Sequence, residues 1–206
     1  MAQTFDLSIY LIGSMAYGIK KIEEALAAGV TLFQLREKNI SSRQYLDYAK
    51  QIKACTSYYG VPLIINDRVD IALLSGAEGV HLGQSDVPIA DVRALVGNDF
   101  IIGATAKTLE TALEAEKQGA HYIGCGAWFE TSTKLDATVL EHESYRKIKQ
   151  QLTIPGVAIG GITIENCRIP LSYGVEGIAM ASGILGSQNI TETVKQLSET
   201  IKTIKN

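Results

Sequence analysis

Eight short apolar runs recur along the chain, and each is followed by a stretch with helical periodicity. The runs cover residues 7–13, 31–36, 62–66, 79–82, 100–104, 121–126, 156–160 and 176–180. Most are continuously apolar, as a strand must be when both of its faces are buried. Helical stretches fall at 19–29, 42–60, 69–76, 88–97, 108–119, 141–152 and 162–174. A final one, 190–205, carries Ile190, Val194, Leu197, Ile201 and Ile204 near helical spacing. That stripe is expected to pack on the sheet, with a partner surface as the alternative, so a homo-oligomer is compatible with the chain. Strand–helix alternation specifies an α/β fold with a parallel sheet. Eight strands are the number that closes it into a (β/α)8 TIM barrel; an open doubly wound sheet is the alternative. Glycines near the ends of four helical stretches, Gly29, Gly76, Gly119 and Gly174, suit C-caps that turn into the next strand.

The chain has 206 residues, which fits a single barrel domain over 1–206. No linker or low-complexity segment interrupts it. A net charge of −3 argues against nucleic acid as a partner, which needs a basic surface. It leaves room for small anionic substrates, because a few local cations outweigh a weak net charge. Cys55, Cys125 and Cys167 are odd in number and far apart, with no CxxC pair. A disulfide framework or a zinc site is therefore not expected. The N-terminal stretch carries Asp6 and lacks a basic region, so it does not read as a signal peptide. No apolar run approaches the ~18 residues that span a bilayer. A cytoplasmic protein without membrane contact is expected.

In such a barrel the chemistry sits at the C-terminal ends of the strands. The second run leads into Gln34, Arg36, Glu37 and Lys38, and positions 34, 36 and 38 share one strand face. The third ends in Asn66-Asp67-Arg68 and the fourth runs from His81 to Asp86. The fifth closes at Thr105, and the sixth leads through Gly126 to Thr131-Ser132-Thr133-Lys134. The seventh ends at Gly160-Gly161 and the eighth at Ala181-Ser182-Gly183. Each has a bland reading: a solvated charged face, a helix cap from Asn66, Asp67 or Asp86, a tight turn at the glycine pair. Together they place polar or glycine residues at one end of nearly every strand, which structure alone does not require. The last two loops occupy the usual phosphate-binding position of this fold. Arg36, Lys38 and Lys134 add cations suited to a second anionic group. Asp67 and Asp86 end adjacent strands and could share a Mg²⁺ with a substrate phosphate. His81 lies inside an apolar strand and reads as a hydrogen-bonded core residue, and the three histidines have no zinc spacing.

The segments QLREK (34–38), NDRVDIA (66–72), GVHLGQSD (79–86), YIGCGAWFETSTK (122–134), VAIGGIT (157–163) and GIAMASGI (177–184) resemble, in order, the thiamine phosphate synthase family. The resemblance implies a transferase of thiamine biosynthesis. Such an enzyme joins hydroxymethylpyrimidine diphosphate to thiazole phosphate, giving thiamine phosphate and pyrophosphate. It further implies that Gln34, Arg36, Lys38, Asn66 and Lys134 hold the pyrimidine diphosphate, that Asp67 and Asp86 bind Mg²⁺, and that Thr131, Thr133, Gly161 and Ala181-Ser182 hold the thiazole phosphate. Glu37, Thr105, Ser132 and Gly160 complete the expected substrate contacts, and Arg36, Lys38, Thr105 and Lys134 are the expected catalytic set.

Two departures stand out. The family's serine and histidine after strand five read Thr105 and Lys107, and both prolines of its GPxFPTxTK loop are lost at Ala127 and Glu130. Pro loss predicts a looser loop. Three rivals remain. A thiazole tautomerase would have a histidine at Ala127 and no metal carboxylates. A phosphate-binding barrel without catalysis is the second, because fold does not fix function. A phosphate-ester isomerase is the third, and it would need a base, for which Glu37 and Glu130 are the additional carboxylates.

Overall fold

The structure, a computed structural model, describes residues 5–131 and 139–205. Eight parallel strands form one closed barrel in sequence order. They are β1 (Ile9–Gly13), β2 (Leu32–Leu35), β3 (Leu63–Asn66), β4 (Gly79–Leu82), β5 (Ile101–Thr105), β6 (Tyr122–Gly126), β7 (Gly156–Ile159) and β8 (Gly177–Met180). The barrel closes through Ile9–Leu11 of β1 against Ile178–Met180 of β8, so the open-sheet alternative is set aside. The helices are α1 (Ile19–Ala28), α2 (Ser42–Tyr58), α3 (Val69–Ser75), α4 (Ile89–Val96), α5 (Leu109–Lys117), α6 (His142–Gln151), α7 (Arg168–Ser172), α8 (Ser182–Leu185) and α9 (Ile190–Lys205).

Continuous apolar runs hide a division of labour that only register reveals. On β1 to β3, Leu11, Phe33, Leu35, Leu63 and Ile65 face outward and join the large core shared with the helices. Their neighbours Tyr10, Ile12, Leu32 and Ile64 face inward and join Ile101, Tyr122, Val157 and Ala179 in a smaller core inside the barrel. The inward parity also carries Gln34, Asn66, His81 and Thr105 near the C-terminal strand ends. The α9 stripe buries Ile190, Val194, Leu197 and Ile201 on the large core, so it packs on the barrel as expected.

Glycine C-caps behave as the sequence suggests. Gly29 and Gly76 are left-handed, with φ of 115° and 71°, and their N–H groups bond back to Ala25 and Ala72. At the opposite end of the barrel from the polar strand ends, one device occurs twice. Glu78, just before β4, accepts from the Leu63 N–H at 2.8 Å and pairs with Lys53 of α2. Glu176, just before β8, accepts from the Gly156 N–H at 2.7 Å and pairs with Lys149 of α6. Each carboxylate ties the start of one strand to its neighbour and to a helix.

The stretch 162–174 yields a helix only over Arg168–Ser172. The Asn166 side chain accepts from the Thr163 N–H at 2.9 Å and holds a turn ahead of it, and Pro170 supplies no N–H to extend the ladder. Asn66 and Asp67 do not cap α3, whose N-cap is Arg68 without a side-chain bond. Asp86 does not cap α4, whose N-cap is Pro88.

Candidate active site

The inward parity of β2 continues past the strand end, so Gln34, Arg36 and Lys38 line one cavity of about 1020 Å³. Asn66, Asp67, His81, Asp86, Thr105 and Thr131 share it, as do Gly160, Gly161, Ala181 and Ser182. The expected site residues from seven strand ends are thus gathered at one mouth. Glu37 is not at this cavity: its carboxylate accepts from the Ser14 hydroxyl at 2.9 Å and the Met15 N–H at 2.6 Å. It braces the loop after β1, and that corrects its expected substrate contact. Ser132, Thr133 and Lys134 lie outside the described residues.

Tyr45 of α2 sets the ends of β2 and β3. Its hydroxyl is 2.8 Å from the Leu35 carbonyl and 3.2 Å from that of Asn66, which fixes the backbone just ahead of Arg36 and Asp67. Asp67 has a φ of 63°, a left-handed conformation that Asp and Asn adopt more readily than most residues. Its carboxylate is 2.5 Å from the Lys38 ammonium and hydrogen-bonds the Asp86 carboxyl. Burial alone would raise the Asp67 pKa, but the bonds from Lys38 and Asp86 outweigh it and hold Asp67 below the usual range. Asp86 is the other half of the pair. Burial raises its pKa, and Asp67 adds to that against the opposing Gly83 N–H, 2.6 Å away, and Lys38.

Two carboxyls crowded together at this cavity, with one lysine beside them, form a donor set for a hard cation. Among the described residues no group of three or more His, Cys, Asp or Glu side chains could hold a metal ion. The pair fits an ion such as Mg²⁺, which takes one or two carboxylates and completes its shell with water and phosphate oxygens.

Across the cavity the donors are backbone groups. Gly160 and Gly161 have φ of 98° and 65°, and a Cβ on Gly160 would lie 2.6 Å from the Ala127 Cβ. Only glycine lets this turn pass so close to the loop after β6. The start of α8, next to Ala181, has no side-chain cap among the described residues. The missing prolines do not leave the start of the β6 loop unrestrained. The Trp128 and Phe129 N–H groups bond the Ile159 and Gly160 carbonyls at 3.1 and 3.0 Å. The Trp128 ring is fully buried and stacks on His142, centroids 4.7 Å apart.

Beneath these groups lies a buried polar chain. The Gln34 amide nitrogen donates to the Tyr10 hydroxyl at 2.6 Å. Tyr10 and Tyr122 hydroxyls are 2.7 Å apart, Tyr122 is 3.1 Å from His81 Nδ1, and His81 Nε2 is 3.0 Å from the Thr105 hydroxyl. Burial pushes the His81 pKa down to about 4, against the pull of Asp67. The reading of His81 as a hydrogen-bonded residue of the strand interior holds, and it also reaches the cavity wall. Tyr10 and Tyr122 were invisible as site residues in the sequence. Their inward parity, two positions before Ile12 and Gly124 on strands that end at the cavity, is the signal that finds them once register is known.

Comparison with known proteins identifies the family. Residues 9–184 match the family described as thiamine monophosphate synthase. The chain is 46% identical over 204 residues to a thiamine-phosphate synthase of Ruminiclostridium cellulolyticum, covering 97% of each. It is 48% identical over 183 residues to that of Clostridium acetobutylicum, covering 89% of this chain and 87% of the relative. A solved thiamine phosphate pyrophosphorylase from Pyrococcus furiosus superposes with a TM-score of 0.90 at 37% identity, covering 97% of this chain and 98% of that one. By these matches the chain belongs to the thiamine monophosphate synthase family.

Proposed function

We propose that the chain is a thiamine phosphate synthase that joins hydroxymethylpyrimidine diphosphate to thiazole phosphate and uses Mg²⁺ held by Asp67 and Asp86. The observation that carries this reading is one cavity with two unlike groups of residues in its wall, each suited to an anion. One is built from Arg36, Lys38 and the two carboxyls, and the other from Gly160, Gly161 and the start of α8. A diphosphate with a bound cation suits the first, and a monophosphate suits the second. The tautomerase alternative would lack the carboxyl pair Asp67 and Asp86; of the two additional carboxylates the isomerase alternative could use as a base, Glu37 is engaged by Ser14 and Met15 and Glu130 lines the cavity.

In the proposed reaction the bond between the pyrimidine CH2 and the diphosphate oxygen breaks, and the electron pair leaves with pyrophosphate. The thiazole nitrogen lone pair forms the new C–N bond. No proton has to be removed to make that nucleophile, so no general base is required. Bound Mg²⁺ supplies charge neutralisation on the leaving diphosphate. Arg36 grips phosphoryl oxygens with a planar fork, and Lys38 adds a point charge. Lys134 belongs to the same proposal from its place in the sequence. Thr105 gives the leaving group a hydrogen bond, and Gln34 and Asn66 orient the pyrimidine. Thr131 holds the thiazole phosphate in this reading, and Ser132 and Thr133 belong to the same proposal from their place in the sequence. The protein's contribution is position and preset charge, which is most of what such a displacement needs. Small-molecule substrates are the only partners the reaction calls for. Among the described residues no helix is long and apolar enough to cross a membrane, and action in the cytoplasm is part of the same proposal.

The test is pyrophosphate release measured with both substrates and Mg²⁺, each omitted in turn. Release that needs all three supports the reading. Binding of either phosphate without release would sink it in favour of a binding protein.

A further inference from the structure

The buried chain Gln34–Tyr10–Tyr122–His81–Thr105 has only two self-consistent directions. Each phenol has one proton and a neutral imidazole has one N–H, so fixing any one donor fixes all the others. Gln34 donates its amide N–H to Tyr10. Tyr10 must then donate to Tyr122, Tyr122 to His81 Nδ1, and His81 Nε2–H to Thr105. The Thr105 hydroxyl has no other hydrogen-bond partner among the described residues, so its proton is left facing the cavity. At the far end the Gln34 carbonyl is likewise left facing it. The reverse direction would exchange both ends, turning the Gln34 N–H₂ and a Thr105 lone pair to the ligand.

Space for this chain is reserved in the backbone. A Cβ on Gly103 would overlap the Tyr122 ring, and one on Gly124 would come within 3.2 Å of His81 Cε1. Phe5 and Tyr10 pack edge-on against Tyr122, with centroids 5.8 Å away in both cases. The Tyr122 and His81 rings are thus held in place by their neighbours, and Gln34 and Thr105 carry the two ends of the chain to the cavity.

We infer that Tyr10, Tyr122 and His81 are positioning residues that fix Thr105 as a hydrogen-bond donor and Gln34 as an acceptor at the cavity wall. The inference rests on the reading of the site as one for a diphosphate ester. A phosphoryl oxygen can only accept, so a donor locked at Thr105 favours the departing diphosphate, and an acceptor locked at Gln34 favours an amine on the ring being transferred. A hydroxyl free to rotate would have to be ordered at each turnover, and here the ordering is built in before substrate arrives.

The ¹⁵N shifts and two-bond couplings of histidine-labelled protein report the tautomer directly. The expected result for His81 in the wild-type protein is protonation at Nε2 alone, assigned by loss of the signal in His81→Gln. Protonation at Nδ1 overturns the inference, and this measurement needs neither substrate nor turnover. In the pyrophosphate assay Tyr122→Phe should lower kcat tenfold or more with KM for the diphosphate changed less than threefold. Because the effect passes through Thr105, Tyr122→Phe should cost little further in a Thr105→Val background. Additive losses would mean that Tyr122 acts only as core packing and would overturn the inference, and melts by circular dichroism check that each variant is folded. Should Tyr122→Phe not fold, Tyr10→Phe breaks the same relay one link earlier and is read in the same way. Wild-type protein that shows no turnover would count against the proposed reaction, while the tautomer would still decide the direction of the chain.

Discussion

Asp67 concentrates three constraints in one residue: a left-handed backbone, an ion pair with Lys38 and a carboxyl shared with Asp86. A change to alanine would confound chemistry with backbone strain, because a left-handed Ala costs about 1 kcal/mol. Asn keeps the left-handed preference and the side-chain shape while removing the charge. Asp67→Asn and Asp86→Asn are each expected to lower kcat by about 100-fold or more, the scale of losing a charge partner at a developing anion. Stability should move by less than about 1 kcal/mol for Asp67→Asn, since the Lys38 pair is half-exposed and screened. Activity at saturating Mg²⁺ and a thermal melt of each variant check both halves; full activity in either variant removes that residue from the metal assignment. The sequence disclosed this pair because both carboxyls close adjacent strands, which one linear pass can see. It could not disclose Tyr10 or Tyr122, whose hydroxyls meet across 112 positions of sequence. Tyrosine in an apolar run reads as core until register shows that it faces the barrel axis. Glu37 failed for a related reason. Its place in the charged run 34–38 suggested the cavity, yet strand alternation turns it away from Arg36 and Lys38 and toward Ser14 and Met15.

At the level of elements, the strands were legible to within a residue or two, because both-face burial leaves a run that little else produces. Helices were less so where side chains compete with the backbone: Asn166 and Pro170 cut 162–174 to Arg168–Ser172. The paired glutamates at the N-terminal end explain why the phrases ending in Glu78-Gly79 and Glu176-Gly177 recur. In each case glycine opens the strand, and a Cβ at Gly79 or Gly177 would overlap the neighbouring backbone at Ile101 or Leu7. The preceding carboxylate takes the first N–H of the adjacent strand. Glu78→Ala and Glu176→Ala should each cost about 1–3 kcal/mol, the cost of leaving a part-buried N–H without its charged acceptor. The two share no partner, so the double variant should lose the sum to within about 0.5 kcal/mol. Urea unfolding checks this, and a double variant no weaker than the worse single one would show that the two braces are not independent. Neither change should alter KM, because both glutamates sit at the end of the barrel away from the cavity.

A closed barrel makes the whole molecule one cooperative object, since every strand depends on two neighbours and β1 is held by the last strand as much as by the second. Closure is reinforced from outside by α9, which brings the end of the chain back onto α1 and the core beneath it. Val194 and Leu197 are fully buried there. Leu197→Ala should therefore cost about 2–5 kcal/mol, the range for an aliphatic side chain truncated in a packed core. The chain has a single tryptophan, Trp128, and it reports on the end of β6, a part of the barrel distinct from the α9 seam. If α9 were an appended helix, Leu197→Ala would loosen it while tryptophan fluorescence still reported a folded barrel. Helix loss by circular dichroism would then come before the fluorescence change. If the chain is one domain, the two signals should shift together to lower denaturant and remain superimposed, with an unchanged slope. Coincident transitions are the expected outcome, because the residues that α9 buries belong to the same continuous core as Trp128. Separated midpoints would show that the seam opens by itself and that the barrel tolerates losing its last helix.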